Sequence, residues 1–201
     1  MQLFWSPTSP YVRKVMACAI EREIDHQIER LRTNPHASPP ELLAQNPLSK
    51  VPCLVTDDGM ALFDSPVICE FLDSVGDAAP MFPRPNSAHR WLALRQQALG
   101  DGVLDAAIAR RLEQAKPSEP ARETFMARQK AAVDRCLDRL ESDPPHKAVD
   151  IGTITIACAL GYLDFRFASE PWREGRPGLA RWFDLLAAMP GIARTVPEDL
   201  S

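Results

Sequence analysis

The chain has 201 residues, 45% of them hydrophobic and 25% charged, the profile of a soluble globular protein large enough for one or two cored domains. Its net charge of −4 and pI near 5.6 argue against a dominant nucleic-acid surface, which needs a basic excess. The five cysteines include no CxxC pair and the four histidines are scattered, so no metal motif is present and a reducing compartment is expected.

The first part of the chain alternates strands and helices. Met1 runs straight into a short strand, Leu3-Phe4-Trp5, with no basic leader or long apolar segment of a secretory signal. Val12, Val15, Met16, Ala19 and Ile20 fall at helical spacing, which predicts a helix over 10–22. A second strand is expected over 26–31, and the Pro-rich stretch 34–40 reads as irregular. Residues 53–56 and 61–63, joined by Asp57-Asp58-Gly59, read as a hairpin, followed by a helix over 66–73.

Pro80, Pro83 and Pro85 mark a linker over 78–86, which separates a domain at 1–77 from one at 87–201. Beyond it the pattern is helical throughout: 87–115, 118–140, 150–167 and 177–188. The first of these is expected to bend near Gly100 and Gly102, which lower helix propensity. The strongly apolar run 151–163 falls short of the about 20 residues that a membrane span needs, so it is read as a buried helix and no membrane contact is expected.

Three stretches carry the functional signal: Ser9-Pro10-Tyr11-Val12-Arg13-Lys14, Asn46-Pro47-Leu48-Ser49-Lys50-Val51-Pro52, and Asp64-Ser65-Pro66. In the first and third, a serine precedes a proline at the start of an apolar-periodic run. Serine is a good N-cap and proline fits the first helical position, so both serines are expected to cap helices. A helix start offers unpaired N–H groups and partial positive charge. Two such starts flanking a Val-Pro turn suggest a small ligand negative at two separate points.

These residues resemble the soluble glutathione transferases, over nearly the whole chain. Residues 46–54 are similar to the family's Asn-Pro-Leu-Gly-Lys-Val-Pro-x-Leu segment, Asp64-Ser65 to its acid-serine pair before a helix, and 159–166 to the central helix of a bacterial subgroup. The resemblance implies an α/β thioredoxin-like N-terminal domain followed by an all-α C-terminal domain. It further implies a bacterial serine-type enzyme using glutathione as co-substrate, a small hydrophobic electrophile or peroxide as second substrate, a homodimer, and a cytoplasmic location.

The resemblance also gives the site residues roles. Val51-Pro52 would carry a cis peptide bond and offer the Val51 backbone to the cysteinyl part of glutathione; an ordinary trans proline opening a strand is the structural alternative. Ser65 and Asp64 would hold the γ-glutamyl end, or serve simply as helix cap and favourable charge. Lys50 would reach the glycyl carboxylate, or stay solvated. Ser9 would donate its hydroxyl to the glutathione sulfur and lower the thiol pKa from about 8.5. Thr8 and Ser6 remain alternatives, as does Ser9 acting as a plain cap. Cys53, just beyond the turn, is expected to pack in a strand.

In the helical part, Asp150-Ile151-Gly152-Thr153 stands where the family opens its central helix with Ser/Thr-x-x-Asp, and reads as a folding element of swapped polarity. Tyr11, Arg95, Leu99, Gly102 and Val103 are candidates for the second-substrate pocket, each with core or surface as the alternative. Rival functions are a noncatalytic scaffold, like the stringent-starvation proteins that bind RNA polymerase, and a glutathione carrier without turnover.

Overall fold

The structure, a computed structural model, describes residues 1–197. Contacts divide the chain into two units, Asn86–Ala188 and a discontinuous one of Met1–Pro85 with the segment from Met189 on.

The first unit is built on a four-stranded sheet in the order β2-β1-β3-β4. Strand β1 (Gln2–Trp5) pairs parallel with β2 (Glu29–Arg32), and antiparallel with β3 (Cys53–Val55), which pairs antiparallel with β4 (Ala61–Leu62). The parallel pair needs a crossover, and helix α1 (Pro10–Glu21) supplies it. Strand β2 starts at Glu29, later than the expected 26, because Asp25–Gln27 forms a 3-10 turn.

Helix α2 (Pro40–Gln45) lies where an irregular stretch was expected. Pro40 sits at its start, where a missing N–H costs nothing, and Leu42 is its buried residue. Helix α3 (Ser65–Val75) packs against α1, burying Ile68, Cys69 and Leu72. The core of the unit centres on Leu3, Val15, Cys18, Leu54, Ile68 and Leu72, all 0% exposed. Residues Met81 and Phe82 are tied down by the Asp73 carboxylate, which accepts both of their N–H groups at 2.7 and 3.1 Å.

The second unit contains α4 (Ala88–Gln114), α5 (Pro120–Ser142), α6 (Ile151–Arg166) and α7 (Pro177–Ala187). Helix α4 is continuous through Gly100 and Gly102, with no break. Gly100 serves packing: a Cβ there would come within 2.9 Å of the Thr155 methyl on α6. Helix α6 is buried along its length from Ile151 to Leu163. Among the described residues, no helix is long and apolar enough to cross a membrane.

Past Ala188 the chain returns to the first unit, whereas the sequence boundaries put it with the helices. The short helix α8 (Pro190–Ala193) lies against α1. Gly191 permits the approach, since a Cβ there would stand 2.7 Å from the Ala17 carbonyl oxygen. The Gly191 N–H donates to the Glu21 carboxylate at 2.6 Å.

Candidate active site

Strand register brings the three signal stretches to one end of the sheet. Phe4 faces Cys53 across the β1–β3 pair, and Leu54 faces Leu62 across the β3–β4 pair. The chain leaves β1 past Trp5 into Ser6–Ser9. It enters β3 just after Pro52, and leaves β4 past Leu62 into Asp64 and Ser65. In an antiparallel pair the end of one strand adjoins the start of the next, so all three turns share an edge.

Ser9 is the N-cap of α1, with φ −79° and ψ 120° and Pro10 at the first helical position. Its Oγ accepts the Val12 N–H at 3.3 Å. That bond uses a lone pair and leaves the hydroxyl hydrogen without an acceptor among the described residues. Cap and donor are therefore compatible in one side chain. Beside this turn opens a cavity of about 490 Å3 lined by Ser6 and Ser9, with Thr8 outside the lining.

The Val51-Pro52 peptide bond is cis. The loop before it is clamped by Asn46, which is 1% exposed. Its side-chain amide donates to the Lys50 carbonyl at 2.9 Å and accepts the Leu48 N–H at 3.0 Å. Ser49, where the family pattern has glycine, adopts the left-handed region at φ 51°. Its hydroxyl bonds to the Pro35 carbonyl and the Ser38 hydroxyl, both at 3.0 Å, which offsets the steric cost. The Val51 N–H and C=O have no partner among the described residues. Lys50 is exposed and makes no ion pair there.

At the third stretch the expected cap is displaced by one residue. Asp64 occupies the N-cap position of α3, extended at φ −93° and ψ −158°, with no hydrogen bond from its side chain to the helix. Ser65 is the first helical residue and Pro66 the second, so Ser65 does not cap. It is 2% exposed, and its hydroxyl has no hydrogen-bond partner among the described residues. Its position still offers helix-start N–H groups. Asp64 is exposed beside it.

Cys53 is 0% exposed, and burial pushes its thiol up to about 11, so it stays protonated at neutral pH. It packs in β3, as expected, and is no nucleophile.

Val103 is buried, while Arg95 and Leu99 line a groove of about 450 Å3 within the helical unit, beside Leu140 and Pro144. Arg13 lies in the first signal stretch but had no role assigned from sequence; it is 7% exposed and lines the cavity next to Ser9. Its position inside an apolar-periodic helix was the available signal.

The first of the comparisons with known proteins is by family. The glutathione S-transferase N-terminal domain matches residues 8–75 and the C-terminal domain residues 105–185. The Escherichia coli (strain K12) "Uncharacterized GST-like protein YibF" is 37% identical, covering 98% of both chains. A Pseudomonas fluorescens Pf-5 glutathione transferase family member, crystallised with bound glutathione, is 36% identical over 98% of both chains, with a TM-score of 0.89. A Pseudomonas fluorescens Pf-5 family member was also solved with S-(propanoic acid)-glutathione, at 35% identity, 98% and 100% coverage and a TM-score of 0.84. A Methylobacillus flagellatus KT glutathione S-transferase with glutathione bound is 32% identical over 98% of this chain and 99% of that one, with a TM-score of 0.88. By sequence along its whole length and by fold, this chain belongs to the glutathione S-transferase family.

Proposed function

We propose that the protein is a glutathione transferase that holds glutathione across the shared sheet end and ionises its thiol for attack on a small electrophile. One observation carries this reading: the hydrogen-bonding groups at that end are unspent. They are the Ser9 hydroxyl hydrogen, the Val51 N–H and C=O, and the Ser65 hydroxyl. Buried or half-buried polar groups are ordinarily paired, so a row of unpaired ones suits a polar ligand.

In this reading the Val51 backbone pairs with the cysteinyl segment like an added strand. Ser65 and the start of α3 take the γ-glutamyl carboxylate, Asp64 its ammonium, and Lys50 the glycyl carboxylate. Ser9 then faces the sulfur. A hydroxyl donor and a helix start both favour the thiolate over the thiol, so the bound sulfur ionises at lower pH than free glutathione. The thiolate attacks the second substrate and the hydroxyl releases it as charge leaves the sulfur. Glutathione carrying a carbon substituent on sulfur, as held by the Pseudomonas relative, is the kind of product such attack gives.

A homodimer is part of the proposal. Val67 and Val75 on α3 are 48% and 40% exposed, apolar surface that a second copy would cover. The five cysteines are all free, consistent with a cytoplasmic setting. Titration calorimetry tests the binding step: glutathione binds, and Ser65→Ala weakens it about tenfold. No heat at millimolar glutathione would favour the scaffold function instead. Binding without turnover across electrophiles and peroxides would leave a carrier.

A further inference from the structure

The cavity beside Ser9 extends along α1 as far as Ile20. Its α1 wall is apolar at Val12, Met16 and Ile20, and Ile28 continues that surface. Two arginines reach this cavity without an acidic partner among the described residues.

Arg13 donates through Nη2 to the Ile192 carbonyl at 3.2 Å and through Nε to the Thr195 hydroxyl at 3.4 Å. Its Nη1 is buried with no hydrogen-bond partner. Neutral oxygens fix the side chain in place, and no carboxylate among the described residues compensates its charge. A buried cation in that state is costly unless an anion joins it. Arg30, from the edge strand β2, is exposed and lies with its guanidinium 5.1 Å from the centre of the Trp5 ring. It makes no ion pair among the described residues. The acid in the cavity lining, Asp25, is committed to Arg194 at 2.6 Å.

We propose that this cavity binds a small organic carboxylate with an apolar body. The carboxylate sits on Arg13 and Arg30, and the body lies along Val12, Met16 and Ile20. Guanidinium groups suit the planar, two-oxygen shape of a carboxylate, and about 490 Å3 is in the range of small-molecule sites. Because Ser9 lines the same cavity, an electrophilic carbon on that body meets the glutathione sulfur. This last step rests on the glutathione reading above. It makes electrophiles that carry a carboxylate the second-substrate class.

The test uses 4-chloro-3-nitrobenzoate and its neutral amide, 4-chloro-3-nitrobenzamide. Without glutathione, calorimetry is expected to give the benzoate at least tenfold tighter binding than the amide. Arg30→Gln, a change at an exposed side chain, is expected to cut that preference at least fivefold. Equal binding of the two compounds, or a preference untouched by Arg30→Gln, would overturn the cavity's assignment whatever glutathione does. With glutathione saturating, the thiolate forms an S–C bond at the ring carbon bearing chlorine, and chloride leaves with the bonding pair. Faster chloride release from the benzoate at limiting concentration supports the substrate class. Preferential binding with no chloride release keeps the carboxylate site and removes the transferase step.

Discussion

Helices α1 and α6 both begin at a side-chain cap, and the two caps are spent differently. At α6 the exchange is closed. The Asp150 carboxylate accepts the Thr153 N–H, and the Asp150 N–H donates to the Thr153 hydroxyl, both at 2.9 Å. The Thr153 hydroxyl goes on to donate to nearby carbonyls, at 3.1 Å for Ala148. His146 contributes a contact to the Asp150 carboxylate at 3.0 Å, and Asp150 is 6% exposed. At α1 the exchange is one-sided. Ser9 accepts from Val12 and keeps its hydrogen, at the mouth of a cavity. A closed, buried cap contributes to stability only, whereas an open one leaves a donor for a ligand.

Breaking the closed cap is expected to have the largest effect. Asp150→Ala removes a buried cap and strands the Thr153 N–H, for a loss of about 3 kcal/mol. The urea midpoint should fall at constant slope. A loss below that of Ser9→Ala would erase the distinction between the two helix starts.

Opening the other cap is expected to show in chemistry. Ser9→Ala should cost about 1 kcal/mol of stability. A hydrogen bond to a charged group contributes about 1.5–3 kcal/mol, so the bound thiol's pKa should rise by about one to two units. Thiolate absorbance against pH at saturating glutathione measures this. An unchanged curve would move the role to Ser6, which also lines the cavity, or to Thr8, and Ser6→Ala and Thr8→Val would decide between them.

Cys53 sharpens the same contrast, since it is the one thiol at the shared sheet end. Burial pushes it up to about 11 from 9.0. The native protein should therefore resist iodoacetamide at Cys53 at pH 8. The sign for stability follows: the folded thiol holds its proton longer than the unfolded one. Its contribution is intact below about pH 9 and is lost as pH rises towards 11. Cys53→Ala should flatten that alkaline decline in the urea midpoint.

The smallest effect belongs to Ser49. Replacing it with glycine relieves the left-handed backbone by about 1 kcal/mol and removes hydrogen bonds of similar total value. The net change in stability should stay within about 1 kcal/mol by thermal unfolding. A larger loss would mean that the Ser38–Ser49 link, more than the Asn46 clamp, holds the loop before Val51.

Much of this was legible because periodicity is local. The runs at 10–22, 150–167 and 177–188 carry their own apolar spacing, and the Ser-Pro and Asn-Pro signals sit within a few residues of what they shape. What escaped depends on neighbours distant in sequence, or on elements too short to show a period. Helix α2 has six residues and one buried side chain, too few for a repeat. Ser65 was misplaced as a cap because a Ser-Pro pair fits equally well one step inside the helix, and the extended Asp64 leaving β4 decides which. Arg13 sits in a signal stretch, but its role depends on the chain near residue 192 arriving beside it. Asn46 was visible as part of a motif, but its two-way clamp on the loop appears only in three dimensions.

The return of α8 to α1 also bears on how the molecule is made. The helical unit is one unbroken stretch of chain, ending at Ala188. The unit carrying Ser9 is not: its α1 waits for Gly191, Ile192 and Thr195 to meet Glu21 and Arg13. During synthesis, the first residues made are therefore among the last to reach their final surroundings.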